Sequence, residues 1–276
     1  MFSLSVPVAA VAETGPADLG VSDSGRNISK EQKVVWTNIG IGSAIVAWGF
    51  TQWDYGTEPL HSGDEGWFGR DTSNGGSDKL GHFYTNYVMT RVLGPLFRHW
   101  GYSREDAALW AAVSSGVQSI LVMEVGDATS PEHGFSYEDA LMDLLGSVVG
   151  YYWYRYPDVA KMIDFRVEYW PDSNTKASTD FTTDYENMKH LMAIKAEGFD
   201  LFRNTWCEYF ELQFGYYTRN FHHDSTPVED RERYLYAGVG INLSRLLRPV
   251  MGEYSAFFNF YQVPYTYLPY DMPLDK

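Results

Sequence analysis

Gly75-Gly76-Ser77-Asp78-Lys79-Leu80-Gly81-His82 joins a glycine pair to the start of a helical pattern, and its charged side chains decide how the rest of the chain is read. Steps of four residues put Asp78, His82 and Asn86 on one face of a helix. Two further clusters lie downstream: Glu124-Val125-Gly126-Asp127, and Gly134-Phe135-Ser136-Tyr137-Glu138-Asp139-Ala140-Leu141-Met142-Asp143. Each sits at or inside the end of an otherwise apolar helical pattern, where an unpaired charge is costly. Such groups persist when they pair with one another, bind something, or both.

Outward from this stretch, helix signals fill the first half of the chain. Ser29 with Gln32 forms a capping box, and no charged residue follows from Val34 to Trp53. That run has the length of a bilayer crossing, about 20 residues, but Thr37, Asn38, Gln52 and several glycines and serines dilute it. After a loop over Asp54 to Gly76, a second helix is expected from Ser77 to Trp100. Ser103 opens a third, uncharged from Ala107 to Met123. Ser136 with Asp139 opens a fourth that runs to about Tyr154, with Pro157 marking its end.

Beyond Phe165 the period changes to two. Phe210, Leu212 and Phe214 alternate with Tyr209, Glu211 and Gln213. Similar runs cover Tyr234 to Ser244 and Phe257 to Pro264, with further strands near Lys189–Ala196 and Phe165–Trp170. The expected fold is α+β: a bundle of about four helices over 29–160, then a small antiparallel sheet of four or five strands over 165–276. So few strands do not close a membrane barrel, which needs about eight. The sheet is therefore expected to pack on the helices, a partner or a lipid surface.

Composition narrows the function classes. Among 276 residues, 36 acidic side chains against 21 Lys and Arg leave a net charge of −15. Nucleic-acid binding, which depends on basic surface, is disfavoured. Aromatic residues make up 17% of the chain, a composition suited to a membrane interface, a protein partner or a Tyr-rich sheet. The single Cys207 excludes an internal disulfide and a cysteine-based zinc site. Residues 1–12 (MFSLSVPVAAVA) end in a small-x-small pattern and read as the remnant of a signal peptide cleaved after Ala12; residues 13–28 read as a flexible leader. Glu13 stands where a lipoprotein would carry its anchor cysteine.

The candidate site is the polar cluster Asp78, Lys79, His82, Glu124, Asp127, Asp139 and Asp143. As a metal centre it would use His82, Glu124 and Asp127, with His133 or Asp143, since zinc, manganese and iron accept imidazole and carboxylate together. Against this, no Glu-x-x-His pair lies within the expected helices, and Lys79 repels a cation. As a structural network, Lys79 neutralises a carboxylate, His82 donates to Glu124, and Asp139 caps its own helix. An anion at the Gly75-Gly76-Ser77 helix start, beside Lys79, is a third option that Asp78 opposes. His222-His223-Asp224 reads as a solvated turn. Trp67-Phe68 reads as a loop plug or interface anchor, and Tyr151-Tyr152-Trp153-Tyr154 as an aromatic belt or a buried helix end.

Glu65-Gly66-Trp67-Phe68-Gly69, the Gly75–His82 stretch, Glu124 with Asp127, and Gly134-Phe135-Ser136 leading to Asp139 together resemble the DUF2279 family of predicted periplasmic or outer-membrane proteins. The order of these pieces is more distantly similar to VanZ-like membrane proteins, with Asp143 where their pattern carries Asn before a glycine. The resemblance covers about residues 30–155 and implies an envelope location and a helical domain. The expected role is a non-enzymatic, membrane-associated structural or scaffolding component, without a cofactor, in contact with membrane lipid or an envelope protein. The alternatives are a metal-dependent hydrolase or lipid-processing enzyme using His82, Glu124 and Asp127, with a divalent metal, and a lipid or small-molecule binder with an apolar cavity between helices and sheet.

Overall fold

The computed structural model describes residues 28–171, 180–221 and 226–275. The signal-like segment 1–12, the leader up to residue 27 and His222-His223-Asp224 lie outside these. Four long helices come first: α1 (Lys30–Gln52), α2 (Ser77–His99), α3 (Arg104–Asp127) and α4 (Tyr137–Arg155). A short α5 (Pro157–Met162) leads into β1 (Ile163–Tyr169). Next come β2 (Met188–Lys195), β3 (Phe210–Arg219), β4 (Glu232–Ile241), α6 (Leu243–Met251) and β5 (Tyr267–Pro273).

Local chemistry sets the helix starts. Ser29 and Gln32 cap α1 reciprocally, Gln32 N donating to Ser29 Oγ at 3.2 Å and Ser29 N to Gln32 Oε1 at 2.9 Å. Ser103 Oγ accepts from Asp106 N at 3.0 Å, and Ser136 Oγ accepts from Asp139 N at 3.2 Å. The Asp139 carboxylate itself does not cap its helix, contrary to the network expected from sequence. It turns to Lys79 instead.

Close packing of α2 on α4 depends on glycine. A Cβ at Gly146 would lie 2.1 Å from Phe83 O, so any side chain there would push the two backbones apart. Helix α1 is held differently: Asn38 donates to Ser114 Oγ and accepts from Gln118, and the Tyr55 ring sits in the notch left by Gly49 and Gly126. The middle of α3, Val117–Met123, widens into a π-helical turn before Glu124. Such a turn shifts the register of the residues after it, and it accompanies the burial of Gln118, Ser119 and Glu124 in the bundle.

The five strands form one antiparallel sheet in the order β1-β2-β3-β4-β5. The strand expected over Phe257–Pro264 does not form. That segment enters from a 3₁₀ turn, Gly252–Asn259, whose Phe257 packs against Phe258 and Tyr261. Its continuation lies along β1, Val167 N donating to Phe260 O at 3.1 Å and Gln262 N to Val167 O at 2.9 Å. The last strand instead begins at Tyr267. Because the chain just before β5 bonds to the free edge of β1, the sheet curls toward closure. Helices and sheet meet where Phe165 packs against Phe83 and Tyr87, with ring centroids 5.0 and 5.4 Å apart. Phe68 fills the joint from the loop, against Tyr216 and Gly76.

Candidate functional site

The three sequence clusters converge inside the bundle. Lys79, fully buried, donates to Glu65 Oε2 at 2.6 Å and to Asp78 Oδ2 and Asp139 Oδ2 at 2.9 Å each. One turn on, His82 Nδ1 lies 3.0 Å from Asp143 Oδ1 and 3.7 Å from Glu124 Oε1, while Nε2 lies 3.8 Å from Asp139 Oδ1. Next along the same face, Asn86 donates to Asp143 Oδ1 at 2.6 Å and accepts from Ser115, Ser119 and Ser147. Asn86 thus ties α2, α3 and α4 together in a network that leaves its own amide satisfied.

The cluster lines a cavity of about 640 Å³. Its polar wall holds His82, Glu124, Asp127, His133, Asp139 and Tyr185, and its apolar wall includes Ile45, Trp48, Trp53 and Met89. Phe181 and Tyr185 come from the connection between β1 and β2, so the second half of the chain closes a pocket built by the first. Gly81 is needed here, because a Cβ would stand 2.7 Å from the Tyr185 ring. Asp127 is turned toward Tyr55 and His133. Of the ligands proposed from sequence, His82 and Glu124 meet, but their third companion is Asp139. One ligand atom from each of the three lies within 4.8 Å of the others. Asp127 sits three residues past Glu124 and faces another side of the cavity, where His133 is its neighbour.

Charge is unbalanced in this space. Six carboxyl groups (Glu65, Asp78, Glu124, Asp127, Asp139 and Asp143) surround Lys79 and His82. Burial works against the His82 charge, but Asp139, Asp143 and Glu124 outweigh it and hold the imidazole well above its ordinary range. Burial raises Asp78, Glu65 and Asp127, and it pushes Glu124 up to about 8. Several buried oxygens have no hydrogen-bond partner among the described residues, including Glu124 Oε1 and Asp139 Oδ1, the two atoms that face His82.

These shifts share one sign. Each carboxyl with a raised folded pKa, and His82, binds more protons in the folded than in the unfolded chain, so metal-free stability falls as pH rises. The loss begins above the unfolded values of 3.8 for Asp78 and Asp127 and 4.5 for Glu65 and Glu124, and continues through about 8 for Glu124. Moving that one ionisation so far corresponds to about 5 kcal/mol. Urea midpoints taken across this window should therefore decline steadily toward alkaline pH. A flat profile would contradict the buried, unbalanced cluster.

Tyr185 joins the site with no signal in the sequence, while Glu65 enters the sequence reading only within the Glu65–Gly69 motif and Asn86 only on the Asp78–His82 face, neither as a member of the polar cluster. Glu65 is 14 residues from Lys79 in a loop without periodicity, and Tyr185 follows a strand, so neither carries a helical-spacing signal. Asn86 lies on the indicated face but is uncharged. The anion option at the α2 start finds Lys79 already saturated by three carboxylates. The aromatic run at the end of α4 divides: Trp153 Nε1 donates inward to Ile163 O at 2.6 Å, while Tyr152 is exposed.

Fold and site together define an α+β protein whose helical bundle carries a carboxylate-rich, histidine-containing pocket closed by the sheet half. Residues 64–155, about a third of the chain and spanning α2 to α4, match the model of a family described as predicted periplasmic lipoprotein (DUF2279). The match is with the family that the motifs resemble, and it places the protein in the cell envelope. No curated protein and no solved structure matches the chain.

Proposed function

We propose that this envelope protein is a hydrolase whose pocket holds a divalent cation on His82, Glu124 and Asp139. The observation that carries this reading is the pair of buried, unpartnered oxygens, Glu124 Oε1 and Asp139 Oδ1, facing the His82 ring at the edge of an open cavity. Asp143 at His82 Nδ1 would fix the ring so that Nε2 faces the ligand position, the carboxylate–histidine arrangement that supports metal ligands elsewhere. Zinc and manganese fit one imidazole with two carboxylates. Asp127, which lines the same cavity, would be the base that accepts a proton from attacking water. The Trp48, Trp53 and Met89 wall suits a substrate with an apolar part.

The structural role expected from sequence has its own support in the neighbouring half of the cluster. Lys79 and Asn86 are saturated by protein partners and act as cement between the helices. The two roles thus fall on different residues of one cluster.

Metal analysis by mass spectrometry on protein from its native membrane fraction tests the proposal. Wild type is expected to carry stoichiometric zinc or manganese, and His82→Ala and Glu124→Gln to lose it together with hydrolysis of a short-chain ester or phospholipid. Because binding must displace protons from His82 and Glu124, added cation should raise the thermal midpoint more in alkaline than in acidic buffer. Folded wild type that neither carries nor takes up metal would remove the proposal and leave the cluster as structural.

A further inference from the structure

The sheet buries charge on one face and exposes apolar side chains on the other. Its buried face carries Asp164, Arg166, Lys195, Glu211 and Gln213 beside a tyrosine-rich cluster of Leu191, Ala193, Tyr217, Tyr236 and Tyr267. Its other face, in register across β3, β4 and β5, presents Leu212 beside Val239 beside Leu268, and Phe214 beside Ala237 beside Tyr270. These outward large side chains, Ala237 aside, are between 45% and 80% exposed. A strand in water alternates the other way, apolar inward and polar outward.

The inversion is built in. Arg166 holds both oxygens of Glu211 at 2.6 and 2.8 Å, and Lys195 holds Asp164 at 2.8 Å, so the inner charges are paired. Glycine makes room for this interior: a Cβ at Gly215 would lie 2.1 Å from the Tyr236 ring, and one at Gly240 would lie 2.5 Å from Gln213 Nε2. The Phe260–Gln262 segment on the β1 edge curls the sheet around that polar face and leaves the apolar face convex.

We infer that the convex face of the sheet is a lipid-contacting surface, covered by the hydrocarbon chains of the membrane. Polar inside and apolar outside is the arrangement that strands adopt against lipid. In water it would expose apolar area at about 25 cal/mol per Å². A second copy is the poorer occupant, because two convex faces meet along a line while fluid chains conform to the curve. The face continues into an apolar groove of about 570 Å³ between α4 and the sheet, walled by Leu145, Val149, Phe214, Leu235 and Met272. That groove is a seat for an acyl chain. Exposed apolar side chains extend the surface onto the adjacent helix, as at Leu144 and Val148 of α4. The inference is independent of any cation in the bundle.

The test places one nitroxide label per molecule, at Leu212→Cys, Val239→Cys or Leu268→Cys, in a Cys207→Ser background. The full chain is reconstituted in vesicles of phosphatidylethanolamine and phosphatidylglycerol, with Glu229→Cys as an exposed loop control. All three face positions are expected to collide with dissolved oxygen several-fold more, and with a water-soluble nickel chelate several-fold less, than position 229. Nickel collisions equal to the control would place the face in water and overturn the inference. Low collision with both reagents, or spin–spin broadening between labels, would show protein or a second copy covering the face and would equally overturn it.

Discussion

Lys79→Met is expected to unfold the helical half of the protein at neutral pH. The ammonium is fully buried and holds three carboxylates at 2.6, 2.9 and 2.9 Å. Removing one partner of a buried ion pair costs about 3–5 kcal/mol, because the remaining charge is left without compensation. Here three carboxylates lose their common partner, against a total stability of about 5–15 kcal/mol for an ordinary domain. Protonation offers an escape. Burial already raises Asp78 and Glu65, so acid should neutralise them at modest cost. The urea midpoint of the variant is therefore expected to collapse near neutrality and to recover much of the wild-type value in mild acid. A variant as stable as wild type at neutral pH would show that Lys79 does not hold the bundle together.

The second large effect is expected in the sheet. Arg166 Nη1 donates to Glu211 Oε1 at 2.6 Å and to Gln262 Oε1 at 3.1 Å, while Nη2 reaches Glu211 Oε2 at 2.8 Å and Asp164 Oδ2 at 3.2 Å. Arg166→Met leaves Glu211 buried with, among the described residues, only Gln213 Nε2 at 2.8 Å as its hydrogen-bond donor from a side chain. A broken buried pair of this kind costs about 3–5 kcal/mol. Neutralising the orphan should return part of it, so Arg166→Met with Glu211→Gln is expected to be more stable than Arg166→Met alone. A double-mutant cycle by chemical denaturation in detergent micelles reads this coupling. Additive effects would mean that the two side chains do not act as one unit.

The helices are legible in the sequence because their signals are local. Ser29, Ser103 and Ser136 announce helix starts through bonds to backbone three residues away, and each does so in the structure. The four-residue steps from Asp78 to Asn86 place one face correctly for the same reason. Strands with strict alternation are legible too, as for Phe210–Phe214. Phe257–Pro264 misleads because an aromatic-rich run satisfies a strand pattern and a packed turn equally well. Only contact with β1 distinguishes the two.

Asp139 rather than Asp127 joins His82 and Glu124, and spacing does not reveal this. Asp127 is the sequence neighbour of Glu124, but a three-residue step in a helix that has just left a π turn does not fix where each side chain points. Glu65 and Tyr185 come from loops, whose positions depend on tertiary closure rather than on period.

The amino-acid sequence alone determined the α+β order, the helix caps, the acidic, titratable stretch and the envelope resemblance, because each rests on interactions within a few residues or on composition. Tertiary structure alone decided which carboxylates meet His82, that a cavity remains beside them, and which sheet face is buried. The period-two pattern of β3 is identical whether Glu211 or Leu212 points inward. The choice comes from Arg166, forty-five residues away, whose guanidinium holds Glu211 inside the curl.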